Sequence, residues 1–118
     1  MLMQKTGEGK DIFIVKLNES GEFVWATAMG GTGDDFSYGL ALDTAGGGSV
    51  YTTGFFTGTA DFDPGAGTFF LPGIGINAFV LKLNALGNFV WAKSLNAAGT
   101  GEVWAYGIAL ESDWEWAI

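Results

Sequence analysis

The sequence predicts an all-β fold built from antiparallel four-stranded units. Three observations carry that expectation. A long internal repeat runs through the 118 residues. The repeated segments place β-branched and aromatic residues in period-two order. Gly, at 20 of the 118 residues, punctuates them too densely for long helices, and no stretch combines a 3.6-residue period with caps.

Residues 11–33 align with residues 77–99 at an offset of 66. Phe13, Lys16, Leu17, Asn18, Gly21, Phe23, Val24, Trp25, Ala26 and Gly33 recur as Phe79, Lys82, Leu83, Asn84, Gly87, Phe89, Val90, Trp91, Ala92 and Gly99. A two-residue insertion then restores the match, with Tyr38–Asp43 against Tyr106–Glu111. A match of this length within one chain marks a duplication rather than shared composition.

The elements follow in order. Ile12–Leu17 reads as a strand, and Asn18-Glu19-Ser20-Gly21 supplies turn residues with a Gly able to take positive φ. Phe23–Met29 returns as a second strand, with Phe23, Trp25, Thr27 and Met29 on one face. Gly39–Asp43 forms a short third strand, and the turn around Gly46-Gly47-Gly48 leads into Val50–Phe56. Residues 57–77 are a long connection holding both prolines, Pro64 and Pro72. Within it Thr68–Leu71 suits a short extra strand, so the connection reads as an elaborated loop with its own small hairpin. Residues 78–83 and 89–95 repeat the opening hairpin around Asn84–Asn88.

One period therefore holds four main strands, 39–43, 50–56, 78–83 and 89–95. Four antiparallel strands per repeat is the blade pattern of a β-propeller. A sandwich or β-solenoid is the alternative, but neither requires such a duplication. Residues 11–29 then end one blade, 39–95 make a full blade, and 104–118 start the next. Propellers close with roughly four to eight blades, so residues 1–118 are expected to be part of a larger array.

The run Asp11-x-Phe13 through Lys16-Leu17-Asn18, Gly21 and Phe23-Val24-Trp25-Ala26, then Gly30-Gly31-x-Gly33-Asp34-Asp35, Tyr38-Gly39-Leu40-Ala41, and finally Asp61-Phe62-Asp63-Pro64-Gly65 resembles the bacterial β-propeller repeat family called SBBP. The resemblance covers about residues 7–111. It implies a seven-bladed type of repeat in large secreted or surface-exposed proteins, with no common catalytic residue. Two departures stand out: Asn96-Ala97-Ala98-Gly99 replaces Gly30-Gly31-Thr32-Gly33, and Ser112–Trp116 interrupts the turn-then-strand continuation.

Composition removes whole classes of function. With no Cys there is neither a disulfide framework nor a thiol nucleophile, and with no His there is no imidazole base or ligand. All five basic residues are Lys, and the net charge is −8. Nucleic acid is therefore excluded as a partner, because its affinity rests on cations that neutralise phosphates. Apolar runs such as Phe23–Ala26 fall far short of the ~20 residues of a spanning helix, so no membrane insertion is expected. Met1-Leu2-Met3-Gln4-Lys5 lacks the apolar core of a signal peptide. Export would place the signal upstream.

Asp61 and Asp63 stand at i and i+2 before a tight turn. Such spacing lets alternating oxygens converge on calcium, and it equally makes an Asp-stabilised turn with Pro fixing φ. Gly7–Lys10 and Gly30–Asp35 resemble phosphate loops only superficially, lacking the Gly-Lys-Ser/Thr continuation. Gly73-Ile74-Gly75-Ile76-Asn77-Ala78 precedes a strand, whereas a dinucleotide fingerprint opens a helix. Trp25 and Trp91 occupy equivalent positions and suit packing between blades, or a sugar-stacking platform. Asn18-Glu19-Ser20 is formally a glycosylation sequon, but its counterpart Asn84-Ala85-Leu86 is not, so both Asn residues read as turn formers.

In such a blade the connections alternate between two rims. Turns 18–22, 44–49 and 84–88 share one rim, and the long connections 30–38, 57–77 and 96–103 share the other. The second rim collects Asp34, Asp35, Asp61, Asp63 and Glu102 with no Lys. Long loops on a rigid scaffold carry binding residues, so this rim is the expected meeting place for a protein or carbohydrate ligand. The expected function is a non-catalytic structural or interaction module of a larger exported bacterial protein, partnered by neighbouring blades and without a cofactor. A carbohydrate- or calcium-binding module is the first alternative. Part of a carboxylate-dependent secreted hydrolase or lyase is the second.

Overall fold

A computed structural model of the chain describes residues 9–44, 47–71, 75–95, 102–110 and 116–117. These form ten strands: β1 (Ile12–Leu17), β2 (Phe23–Gly31), β3 (Asp35–Asp43), β4 (Ser49–Thr57), β5 (Ala60–Asp61), β6 (Phe70–Leu71), β7 (Ile76–Leu83), β8 (Phe89–Leu95), β9 (Ala109–Leu110) and β10 (Trp116–Ala117). The fold is all-β, and every strand pair is antiparallel.

The strands make two four-stranded sheets, β1-β2-β5-β6 and β3-β4-β7-β8, and a separate β9–β10 pair. In the second sheet short turns join β3 to β4 and β7 to β8, while β4 reaches its neighbour β7 through the long connection that lends β5 and β6 to the first sheet. The two hairpins of the repeat are built alike. In each, an Asn carbonyl accepts from a Gly N–H, Gly21 to Asn18 at 2.9 Å and Gly87 to Asn84 at 3.0 Å. Gly21 and Gly87 take φ of 80° and 83°, a conformation that a side chain would strain. The register shifts at Lys16/Leu17 and again at Lys82/Leu83, so the bulge is duplicated with the sequence.

The strands run longer than period-two reading gives. β2 continues through Gly30 and Gly31, β3 begins at Asp35, and β7 begins at Ile76. Gly30 and Gly31 pair with Asp61 and Ala60, so the expected small hairpin in the long connection, β5–β6, joins the first sheet. Tertiary pairing thus draws two glycines into a strand against their weak intrinsic preference. The loop departure at Asn96–Gly99 and the interruption at Ser112–Glu115 lie outside the described residues. So do Gly73 and Ile74 within the Gly73–Ala78 run.

The core lies between the sheets. Ile12, Ile14 and Met29 of the first sheet meet Val50, Phe56, Phe79, Leu81, Leu83 and Ala92 of the second, with Ala60, Phe62 and Leu71 filling one end. The far face of the second sheet is covered by residues 102–108: Trp104 packs on Phe55 with ring centroids 4.3 Å apart, and Tyr106 packs on Tyr38 at 4.9 Å. Val50–Phe56 is buried on both faces in consequence.

Candidate functional site

Four of the five acidic residues singled out by the sequence, Asp34, Asp35, Asp61 and Glu102, gather at one end of the second sheet. Asp63 instead leads into Pro64 and Gly65, which lie beside the opposite turn at Leu86, Gly87 and Asn88. Asp35 pairs with Phe56, Thr57 pairs with Ile76, and Gly30 pairs with Asp61. The Val103 N–H donates to the Ile76 carbonyl at 2.9 Å, which brings Glu102 to the same end. Only Asp34 and Glu102 of the five acids are well exposed there.

Asp34 acts as a local clasp. Its Oδ1 accepts from the Lys10 N–H at 2.9 Å, and its carbonyl accepts from the Thr57 N–H at 3.2 Å and the Thr57 hydroxyl at 3.0 Å. Glu102 Oε2 accepts from the Trp104 indole N–H at 3.3 Å.

Asp35 is 1 % exposed. Its Oδ2 accepts from the Gly31 N–H at 3.0 Å, and its Oδ1 has no hydrogen-bond partner among the described residues. Burial pushes its carboxyl up from the ordinary 3.8 to about 6. The Gly31 hydrogen bond opposes that rise, and the Asp11 carboxylate adds to it. Both carboxylates lie against Gly30: a Cβ there would stand 2.9 Å from Asp35 Oδ2, and closer still to Asp11 Oδ1. Gly30 is therefore the space into which two acids fold. Asp11 was not among the candidate site residues, although it opens the Asp11-x-Phe13 run of the repeat motif and aligns with Asn77.

Asp61 and Asp63 do turn work. Asp61 Oδ1 accepts from the Asp63 N–H at 3.0 Å and from the Phe69 N–H at 2.9 Å. Asp63 Oδ1 accepts from the Gly65 N–H at 2.8 Å. Between them Phe62 is fully buried, 4.8 Å from the Phe79 ring and 5.3 Å from the Phe56 ring. The alternation of Asp, Phe and Asp thus sends the ring into the core while the flanking carboxylates hold loop amides. Among the described residues no group of three or more Asp and Glu is arranged to hold a metal ion.

Trp25 joins the two sheets. Its indole N–H donates to the Ala85 carbonyl at 3.0 Å, and its ring lies against Gly87, whose Cβ would stand 3.0 Å from it. A cleft of about 150 Å³ opens beside it, lined in part by Pro64, Leu86 and Asn88. Trp91, the repeat counterpart, meets Tyr51 edge-on at 6.1 Å.

Comparisons with protein-family models, curated proteins and solved structures find no match to this chain.

Proposed function

We propose that this chain is a segment of a β-propeller repeat array of the SBBP type its sequence resembles. In this reading it is a non-catalytic structural or protein-interaction module of a larger exported bacterial protein. The observation that carries the proposal is one contact made twice at equivalent positions. The Asp35 N–H donates to the Lys10 carbonyl at 2.7 Å, and the Val103 N–H donates to the Ile76 carbonyl at 2.9 Å. Lys10 and Asp35 are the repeat counterparts of Ile76 and Val103. One sheet hands on to the next by the same step, as stacked repeats do. Its work is passive: buried faces hold the blades in line, and the end bearing Asp34 and Glu102 faces a cationic or basic partner.

The test is whether the sheets stabilise one another without a ligand. Ile14 is 6 % exposed between the sheets. Ile14→Asp buries an uncompensated charge there and should lower the melting temperature of the whole chain by about 10 °C or more, read by circular dichroism. Calorimetric titration with calcium and with a set of oligosaccharides should give no saturable heat. A saturable signal from either would replace this reading with the ligand-binding one.

A further inference from the structure

We propose that Asp11 and Asp35 form a proton-held latch beside Gly30, which ties the first sheet to the second in acid and loosens that junction toward neutral pH.

Asp35 stands at the junction itself. It opens β3 in the second sheet and pairs with Phe56 of β4. Its N–H donates to the Lys10 carbonyl at 2.7 Å, on the segment that leads into β1. Its Oδ2 accepts from the Gly31 N–H, at the end of β2, at 3.0 Å. One residue thus ties the start and the end of the first hairpin to the second sheet, once through its backbone and once through its side chain.

The side-chain tie depends on charge. Asp35 is 1 % exposed, and its Oδ1 has no hydrogen-bond partner among the described residues. A buried ionised oxygen without a donor is costly, and a neutral carboxyl much less so. The half-buried Asp11 reaches the same spot, because a Cβ on Gly30 would meet Asp11 Oδ1 and Asp35 Oδ2 together. With both acids ionised, two like charges share a site that water reaches poorly, and a proton on one relieves the other.

The other charged groups at this end are turned elsewhere. Asp34 Oδ1 accepts from the Lys10 N–H at 2.9 Å. Asp61 of β5 pairs with Gly30, but its Oδ1 accepts from the Asp63 and Phe69 amides. Glu102 Oε2 accepts from the Trp104 indole. The Lys10 ammonium stands 5.4 Å from the centroid of the Phe36 ring. β2 and β4 bring Gly30, Gly31, Phe56 and Thr57 to this end, none of them titratable.

Burial, opposed by the Gly31 amide and reinforced by the Asp11 and Asp34 charges, pushes the Asp35 carboxyl up to about 6. Below that value the carboxyl is neutral and the tie to Gly31 holds. Above it the second charge appears, and it is relieved when Asp35 swings toward water and releases Gly31.

The repeat supplies the reference. The counterpart junction makes the same backbone contact, from the Val103 N–H to the Ile76 carbonyl at 2.9 Å. It has Asn77 and Val103 in place of the two acids, and neither side chain titrates. Such a junction therefore closes without acids, and the acids add pH sensitivity to one junction while the other stays indifferent. The latch needs only the two sheets of this chain, so it stands apart from the reading of the chain as part of a propeller.

Amide hydrogen exchange of the full chain, followed by NMR and divided by the intrinsic rate at each pH, reads the junction directly. If opening returns Asp35 from about 6 to its ordinary 3.8, linkage makes opening about tenfold more frequent at pH 7.5 than at pH 5. Protection of the Gly31 and Asp35 amides should fall by that factor, while the Val103 amide, in a separate local opening, changes less than about twofold. Asp35→Asn cannot ionise and should flatten the profile. Asp11→Asn removes the neighbouring charge, so the Asp35 carboxyl carbon should titrate at a lower pH than in the unmodified chain. Protection at Gly31 and Asp35 that does not change with pH would overturn the latch. So would an equal fall at Val103, which would mean that the whole chain opens. An Asp35 midpoint that Asp11→Asn leaves unmoved would overturn the pairing of the two acids. Should either variant fail to fold, the profile of the unmodified chain decides.

Discussion

The two copies of the repeated hairpin share turn, bulge and strand pairing, yet they differ in what surrounds them. Phe13 and Phe79 are the same residue at the same register position, and one is largely exposed while the other is sealed. Sequence decides which residues alternate along a strand, but a neighbouring sheet decides which of them are buried. Near the sheet end the difference takes another form. Asp11 and Asp35 converge on Gly30 in the first copy, whereas their counterparts are Asn77 and Val103. The same backbone contact forms in both places, so the fold does not need the acids there.

The sharpest way to break this comparison is to truncate both phenylalanines. Phe79→Ala opens a cavity between the sheets and should cost about 3–5 kcal/mol. Phe13→Ala, on an exposed face, should stay within about 0.5 kcal/mol when the chain is dilute enough to be monomeric. Denaturant unfolding measures both. Equal losses would mean that the first hairpin is covered in solution as the second is.

How much of this was legible beforehand divides along the same line. The hairpins, the four strands of the second sheet and the short strand at Phe70–Leu71 could be read because alternation and turn chemistry are local, whereas β5 at Ala60–Asp61 was not. The extension of β2 through Gly30 and Gly31 could not, since it depends on Ala60 and Asp61 arriving from 30 residues away. The acids were grouped by the alternation of connections between two rims, and Asp34, Asp35, Asp61 and Glu102 lie at one end while Asp63 does not. Their burial was hidden, because Asp35 and Asp61 alternate into the sheets while Asp34 points away. Phe62 shows the same gap: its flanking aspartates attract attention as ligands, although the ring between them fills the core.

A smaller effect tests the acid pair. In the folded chain the Asp35 carboxyl is pushed up to about 6, above its ordinary 3.8. The folded state therefore holds a proton there more tightly than the unfolded state does. The stability this contributes is present below about pH 4 and is lost as pH rises through about 6. Asp35→Asn keeps an acceptor for the Gly31 N–H and cannot ionise. Relative to the unmodified chain it should gain on the order of 1–2 kcal/mol between pH 4 and pH 7.5, after allowance for screening. Thermal unfolding of both proteins across that range gives the difference. A difference that does not change with pH would show that Asp35 ionises as an ordinary carboxylate.

A further small effect is one in which the two copies should agree. Asn18 Oδ1 accepts from the Ser20 and Glu22 N–H groups at 2.9 Å each. Asn84 Oδ1 accepts from the Leu86 and Asn88 N–H groups at 2.9 and 3.0 Å. Each side chain stands in for a backbone acceptor at the mouth of its own turn. These contacts are local and exposed, and the Trp25 indole of the first sheet meets the second turn at Ala85 and Gly87 rather than at the Asn84 side chain. Asn18→Ala and Asn84→Ala should each cost roughly 0.5–1 kcal/mol, because water replaces much of what the side chain supplied. Paired unfolding curves should therefore shift by the same amount, unlike those of the phenylalanine pair. A markedly larger loss at Asn84 would mean that its turn is held by the first sheet through the Trp25 indole, and that neighbours govern even the turns of this repeat.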